Sequence, residues 1–163
     1  MAYEKVLISS KGNAIRKSEV VPGQPAGIRT GAEIEPGMLI EFDSSYDAQP
    51  QQSAAEIVPF RVAVAQEISG MTTDDSYTPD GDFQGLEYAS VPSGDSVVAQ
   101  LYDGSDETDA DVVAVGDKLV SNGDGTLRKL DADNGDSDSA SIAVALESAD
   151  ASDGQQAIRV EVL

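Results

Sequence analysis

The chain has 163 residues, of which 30 are acidic and 10 are basic, so its formal net charge is −20. It contains no cysteine and no histidine, which excludes disulfides, thiolate metal sites, thiol catalysis and the usual general base of enzymes. A domain of this length buries a core without such cross-links.

Strong acidity with few aromatic residues is also typical of disordered chains. Here, however, the apolar residues come in tight runs such as FRVAVA, VVAQL and IRVEVL, which indicate strands and therefore a folded domain. Repulsion among the excess carboxylates opposes folding in dilute buffer, whereas at 1 M salt the Debye length falls to about 3 Å. The composition therefore favours a halophilic protein over an ordinary acidic surface protein.

The N-terminal segment has the opposite charge from the rest of the chain. Residues 1–29 carry five basic and two acidic residues (net +3), and residues 30–163 carry five basic and 28 acidic residues (net −23). The Gly- and Pro-rich stretch VVPGQPAGIRTG, residues 20–31, predicts an extended connector. We predict an N-terminal arm over residues 1–30 and an acidic β domain over residues 31–163.

The basic residues of the arm have two interpretations. They belong to an ordinary first strand with side chains in solvent, or they form a docking segment that contacts an acidic partner. The candidate contact residues are Lys5, Lys11, Arg16, Lys17 and Arg29.

The rest of the chain is predicted to form short strands between turns, and no stretch shows a sustained helical period. The last strand alternates, with Ile158, Val160 and Val162 on one face, and NGDG at residues 122–125 predicts a hairpin. The fold class is all-β, either a small β-barrel or a β-sandwich. The predicted strands are Met38–Phe42, Val58–Glu67, Val97–Leu101, Val112–Val115, Lys118–Ser121, Thr126–Leu130, Ile142–Glu147 and Ala157–Leu163.

Two stretches of the chain resemble each other at an offset of 80 residues. Val62-Ala-Val-Ala-Gln-Glu67 is similar to Ile142-Ala-Val-Ala-Leu-Glu147, and Leu39-Ile40 aligns with Leu119-Val120. Both pairs follow a Gly-containing turn, although the glycines are out of step by one. This pattern predicts two similar β units, against the alternative that strands of alternating Ala and Val simply look alike.

No motif for chemistry stands out, so we predict no catalytic, cofactor-binding or metal-ligating residues. The acidic runs at residues 103–111 and 131–139 supply oxygen ligands, but neither matches an EF-hand loop. The negative charge opposes nucleic-acid binding, and no apolar run approaches the length that spans a bilayer. The N-terminus shows no signal peptide.

From about residue 30 onward, the order of motifs resembles the capsid decoration (cement) proteins of tailed viruses. The motifs are EPGMLIEF, RVAVAQE, VGDKLVSNGDGTLRKL, IAVALES and IRVEVL. Together with the acidity, the resemblance suggests a virus of a haloarchaeal host. The segments at residues 44–56 and 72–85 match no motif of that family.

The resemblance implies a β-barrel or β-sandwich that trimerises on the outer capsid surface and bridges subunits of the major capsid protein. From the composition and charge, we predict no cofactor, no nucleic-acid partner and no membrane partner. The alternatives are a turret, fibre-base or host-attachment virion protein, or a halophilic surface binding module.

Overall fold

The computed structural model describes residues 8–9, 15–17, 28–65, 71–72, 75–79, 85–102, 112–133, 135–152, 154 and 156–163. Within these ranges the protein is all-β: it has fifteen strands, one 3-10 turn at Asp138–Ala140 and no α-helix. The predicted fold class is confirmed, and the structure selects the barrel over the sandwich.

Five strands of the C-terminal half close into a small barrel in the order β9-β12-β11-β13-β15. Strand β9 closes the ring because it pairs antiparallel with β15 and in parallel with β12. These strands are β9 (Ser96–Leu101), β11 (Lys118–Ser121), β12 (Leu127–Lys129), β13 (Ala143–Ala145) and β15 (Gln156–Val162).

Strand β15 follows the predicted alternation: Ile158, Val160 and Val162 are buried, and Arg159 and Glu161 are exposed. Two short strands of this half, β10 (Val112–Val113) and β14 (Ala149–Asp150), pair with each other beside the barrel.

The N-terminal half consists of small sheets. Strand β6 pairs with β8, which pairs with β2; β3 pairs with β7, and β4 with β5. Their bounds are β2 (Ile15–Lys17), β3 (Ile28–Arg29), β4 (Ile40–Phe42), β5 (Ala48–Pro50), β6 (Arg61–Ala63), β7 (Gly85–Leu86) and β8 (Tyr88–Ser90). Isolated bridges join Leu39 to Val62 and, in parallel, Thr30 to Ala48.

These small sheets repeat the barrel strand by strand. The hairpin β4–β5 corresponds to β11–β12, β6 to β13, β7 with β8 to β15, and β2 with β3 to β9. The parallel pairing that closes the barrel, between Leu101 and Leu127, also has a counterpart in the first unit, where Thr30 forms a parallel bridge with Ala48. We call residues 15–91 the first unit and residues 96–163 the second unit.

Single hydrogen bonds recur as well. The N–H of Gly37 donates to the Ala63 carbonyl at 2.8 Å, and the N–H of Gly116 donates to the Ala145 carbonyl at 2.8 Å. These pairings agree with the predicted division into two similar β units, but the alignment at a uniform offset of 80 was wrong, because Leu39 corresponds to Lys118 and Val62 to Val144. Gly37 and Gly116 are 79 positions apart in the sequence, whereas Ala63 and Ala145 are 82 apart. The second unit therefore has three more residues between its turn and its Ala-containing strand than the first unit.

Alternation along the first unit's strands divides the core. Ile40 and Ala63 point into an N-terminal cluster with Ile34, Tyr77 and other residues. Their neighbours Leu39, Val62 and Val64 point the other way, into the larger cluster that fills the barrel. Because one face of the first unit packs on the second unit, the two units share a continuous core.

The predicted strands were mostly right. Val58–Glu67 was too long, because only Arg61–Ala63 is a strand and residues 66–67 lie outside the described residues. Strands β5 and β8 were not predicted: β5 ends in proline, and YAS is too short to show a period.

The described parts of the N-terminal segment also form strands. β1 (Ile8–Ser9) pairs with β9, and β2 and β3 pair with β8 and β7. The boundary at residue 30 stays a prediction.

The predicted NGDG hairpin is confirmed, and it also joins the two units. The Leu39 N–H donates to the Gly125 carbonyl at 2.6 Å, and the Gly125 N–H donates to the Gln51 carbonyl at 3.1 Å. Gly125 has φ +89°, and a Cβ there would lie 3.0 Å from Pro50 Cβ and 3.1 Å from the Leu39 carbonyl oxygen. The contact therefore requires glycine both for its backbone angle and for the close approach of the two units.

We expect Gly125→Ala to destabilise the protein more than the matched variant Gly116→Ala. Both glycines have φ near +90°, but a Cβ at Gly116 meets nothing within 4 Å. Gly116→Ala should cost about 1–2 kcal/mol of backbone strain, and Gly125→Ala about 1–3 kcal/mol more because it crowds backbone. Urea unfolding in concentrated KCl measures both free energies, and equal losses would contradict the proposed close contact.

Candidate interaction surface

The structure places three of the five candidate contact residues on strands of the first unit. Arg16 and Lys17 lie on β2, in register with Ala89 and Tyr88 of β8. Arg29 lies on β3 and closes the same ring of pairings. The other two, Lys5 and Lys11, lie outside the described residues.

The second unit exposes apolar side chains on its outer side. Val115 is 66% exposed, Leu163 is 51% exposed and Leu146 is 40% exposed, and Val144 is half-buried. We call these four residues the outer face of the second unit. Glu161 lies opposite Val144 in the β13–β15 ladder, so the face is apolar with charged residues among its neighbours.

Hydrogen bonds fix the positions of this face. The Leu146 N–H donates to the Arg159 carbonyl at 2.9 Å, and the Leu163 N–H donates to the Ile142 carbonyl at 3.0 Å. Val115 occupies the turn closed by the bond from the Asp117 N–H to the Ala114 carbonyl, at 3.1 Å. Because each backbone is held by the barrel, the side chains form a preformed surface.

Sequence reasoning missed this face. Val144 and Leu146 were read as part of a strand, and alternation alone does not show which of two faces the barrel buries. The signal that reveals it is the repeat, because the same positions of the first unit can be compared.

The acidic run at residues 131–139 is a folded loop held by an ion pair. The Arg128 guanidinium contacts the Asp136 carboxylate through two bonds, at 2.5 and 2.9 Å, and only 18% and 8% of the two side chains are exposed. Asp136 also accepts the Asp131 N–H at 2.9 Å. The Arg128 hydrogen bond lowers the pKa of Asp136 and raises that of Arg128, while partial burial opposes both shifts.

Three of the four carboxylates of this loop, those of Asp131, Asp136 and Asp138, accept donors of the chain itself. Asp131 accepts the Asp133 N–H at 3.0 Å, and Asp138 pairs with Lys118 at 2.9 Å. In the described part of the chain, no group of three or more acidic residues is arranged to hold a metal ion. The other acidic run, residues 103–111, lies outside the described residues.

Comparisons with known proteins identify no family for this chain. No protein-family model matches the sequence, and no curated protein matches it significantly. In the part of the chain that the structure describes, there is no helix of the length and apolar character needed to cross a bilayer.

We expect Arg128→Met to destabilise the fold by about 2–3 kcal/mol, because it leaves the Asp136 carboxylate half-buried without its partner. The matched variant Lys118→Met breaks a pair whose side chains are 46% and 77% exposed, so it should cost under about 1 kcal/mol.

The pH dependence of the same pair has a defined sign. Since the pKa of Asp136 is lowered in the folded state, the pair's contribution is full above the ordinary aspartate pKa. It is lost as the pH falls through the lowered value. Urea unfolding between neutral and acidic pH should therefore show the Arg128→Met deficit shrinking in acid; a deficit that is the same at every pH would reject this assignment.

Proposed function

We propose that this protein is a virion structural protein that decorates and stabilises a capsid by bridging subunits of the major capsid protein. In this proposal it acts as a homotrimer on the outer capsid surface of a virus with a halophilic host. Its role is mechanical, and it carries out no reaction.

The observation that carries the proposal is the division of charge along the chain. The segment of residues 1–29 has a net charge of +3 and is followed by a body with a net charge of −23. In concentrated brine, where neighbouring protein surfaces are also acidic, a basic segment is a specific means of attachment.

The position of the basic residues supports this use. Arg16, Lys17 and Arg29 lie on strands that pair with β8 and β7, so the body holds their backbone in place. A docking segment that is already ordered loses less conformational entropy on binding than a free tail.

The fold suits a stabilising protein. The first unit packs on the closed barrel of the second unit through the larger core cluster, and binding only to the assembled shell shifts the assembly equilibrium by linkage. A bound ligand at about 100 times its dissociation constant stabilises its target by about 2.7 kcal/mol.

The first test uses particles. Capsids stripped of this protein should disassemble at lower temperature than decorated capsids. They should also disassemble earlier when salt is removed, and adding the protein back should restore their stability. Light scattering during heating measures the midpoint, and quantitative mass spectrometry of purified virions gives the copy number. An unchanged midpoint, or a copy number that follows the vertices instead of the lattice, would contradict the proposal.

The second test concerns the basic segment. Neutralising Lys5, Lys11 and Lys17 to Gln should weaken binding to shells roughly tenfold, because three charge contacts contribute roughly 1–2 kcal/mol together. The measurement is co-sedimentation with stripped capsids in concentrated salt.

The matched control removes three charges from the body, at Lys118, Lys129 and Arg159. It changes the net charge by the same amount and should leave binding within about twofold of the parent, a factor worth less than 1 kcal/mol. If both triple variants bind like the parent, the N-terminal segment is not the docking element.

A further inference from the structure

The outer face of the second unit occupies positions that are buried in the first unit. Leu146 corresponds to Val64: each donates its N–H to the neighbouring strand, to the Arg159 carbonyl at 2.9 Å and to the Glu87 carbonyl at 3.0 Å. Val64 is only 1% exposed because it packs against the second unit, whereas Leu146 is 40% exposed.

Two further positions behave in the same way. Leu163 corresponds to Val91, because the Leu163 N–H donates to the Ile142 carbonyl as the Val91 N–H donates to the carbonyl of the equivalent Phe60. Val91 is 4% exposed, whereas Leu163 is 51% exposed. Val115 immediately precedes Gly116, as the buried Pro36 immediately precedes the corresponding Gly37 of the first unit. The outer face is therefore a second version of the face by which the first unit packs on the second.

The surface that receives this face inside the chain is also defined. The Gln100 N–H donates to the Gly37 carbonyl at 3.0 Å, and its Nε2 donates to the Pro36 carbonyl at 2.8 Å. The hairpin loop of residues 122–126 completes the contact through Gly125.

The first unit has the same two elements. Arg29 has the register position of Gln100, because it pairs with Gly85 as Gln100 pairs with Ala157. The loop of residues 43–47 has the place of loop 122–126, and Tyr46, at the position of Gly125, has φ +63° and is 78% exposed. We call Arg29 and residues 43–47 the receiving surface of the first unit.

The contact within the chain is head-to-tail: the first unit contributes its packing face, and the second unit contributes the surface that receives it. It leaves one surface of each kind outside: the outer face of the second unit and the receiving surface of the first. The charges on and beside both surfaces are mixed: the receiving surface holds Arg29, Asp43 and Asp47, and Lys118 and Glu161 lie opposite Val144 of the outer face.

We propose that these two surfaces bind each other between copies of this chain. The outer face of one copy docks on the receiving surface of the next and repeats the contact that joins the two units. Such a head-to-tail interface closes into a ring when its rotation permits. This contact would supply the subunit interface of the homotrimer proposed above, whereas attachment to a capsid is tested separately on particles.

The experiment exploits the absence of cysteine from the sequence. Within the chain, Pro50 Cβ lies 3.0 Å from the place of a Cβ at Gly125, and the corresponding positions between copies are Lys129 and Tyr46. Two variants, Tyr46→Cys and Lys129→Cys, are oxidised separately and as a mixture in about 2 M KCl, where charge repulsion is screened.

A covalent dimer that forms in the mixture and not in either variant alone is the expected result, because only a head-to-tail contact brings the two different positions together. Dimers from Tyr46→Cys alone would show a two-fold contact and overturn the proposal. Failure of the mixture to cross-link would overturn it as well.

A second measurement does not depend on cross-linking. The triple variant Val115→Ser, Leu146→Ser, Leu163→Ser should weaken self-association at least tenfold in sedimentation equilibrium. The substituted side chains are exposed in the single chain, so the variant should fold normally. The control Ile57→Ser, at a residue that is 76% exposed and belongs to neither surface, should associate like the parent. Unchanged association of the triple variant would contradict the proposal.

Discussion

The two peptide bonds of Gly125 hold the two units in one fixed relation. The carbonyl accepts from Leu39 and the N–H donates to Gln51, so a single residue of the second unit completes the edge of the first unit's hairpin. A side chain at this position would crowd the Leu39 carbonyl and Pro50, at 3.1 and 3.0 Å, and would be strained by the positive φ of +89°. The shared core, the buried contact of Gln51 with Ser121, and the Gln100 clamp on the Pro36–Gly37 turn all depend on the approach that this glycine permits.

The repulsion between the acidic side chains of this protein depends on the salt concentration of the solvent. Among the described residues, every acid of the body except Asp95 is at least partly exposed, and the best-buried pair in the described acidic loop, Arg128 with Asp136, is neutral as a unit. The barrel itself is held by apolar burial, which salt does not screen. Added salt should therefore relieve repulsion between the acidic surfaces of this chain, whose net charge is −20, without weakening the core.

The sequence predicted the elements of the second unit well and those of the first unit poorly. In the second unit, strand β15 is long enough to show its alternation and the NGDG turn specifies its own geometry. In the first unit, the ring is divided into short pieces, and its closure rests on single bridges such as Thr30 with Ala48. Such pairings join residues that are distant in sequence, and no local pattern reports them. The repeat was detectable from the Ala/Val strands, but its register required the hydrogen bonds of the two turns.

The candidate surface was beyond sequence reasoning for a related reason. An apolar residue in a strand predicts burial. Only comparison of the two units shows that Leu146 is exposed at a position where its counterpart in the first unit, Val64, is covered. The substitutions between the equivalent faces follow a consistent physical logic. Where the first unit has the buried Leu39 and Ala89, the second unit has Lys118 and Glu161, which are exposed. These charges keep the face soluble when it is alone and lower the free energy gained when it is covered. The outer face is thus a weaker version of a permanent internal interface, and its occupation depends on protein concentration, whereas that of the internal interface does not.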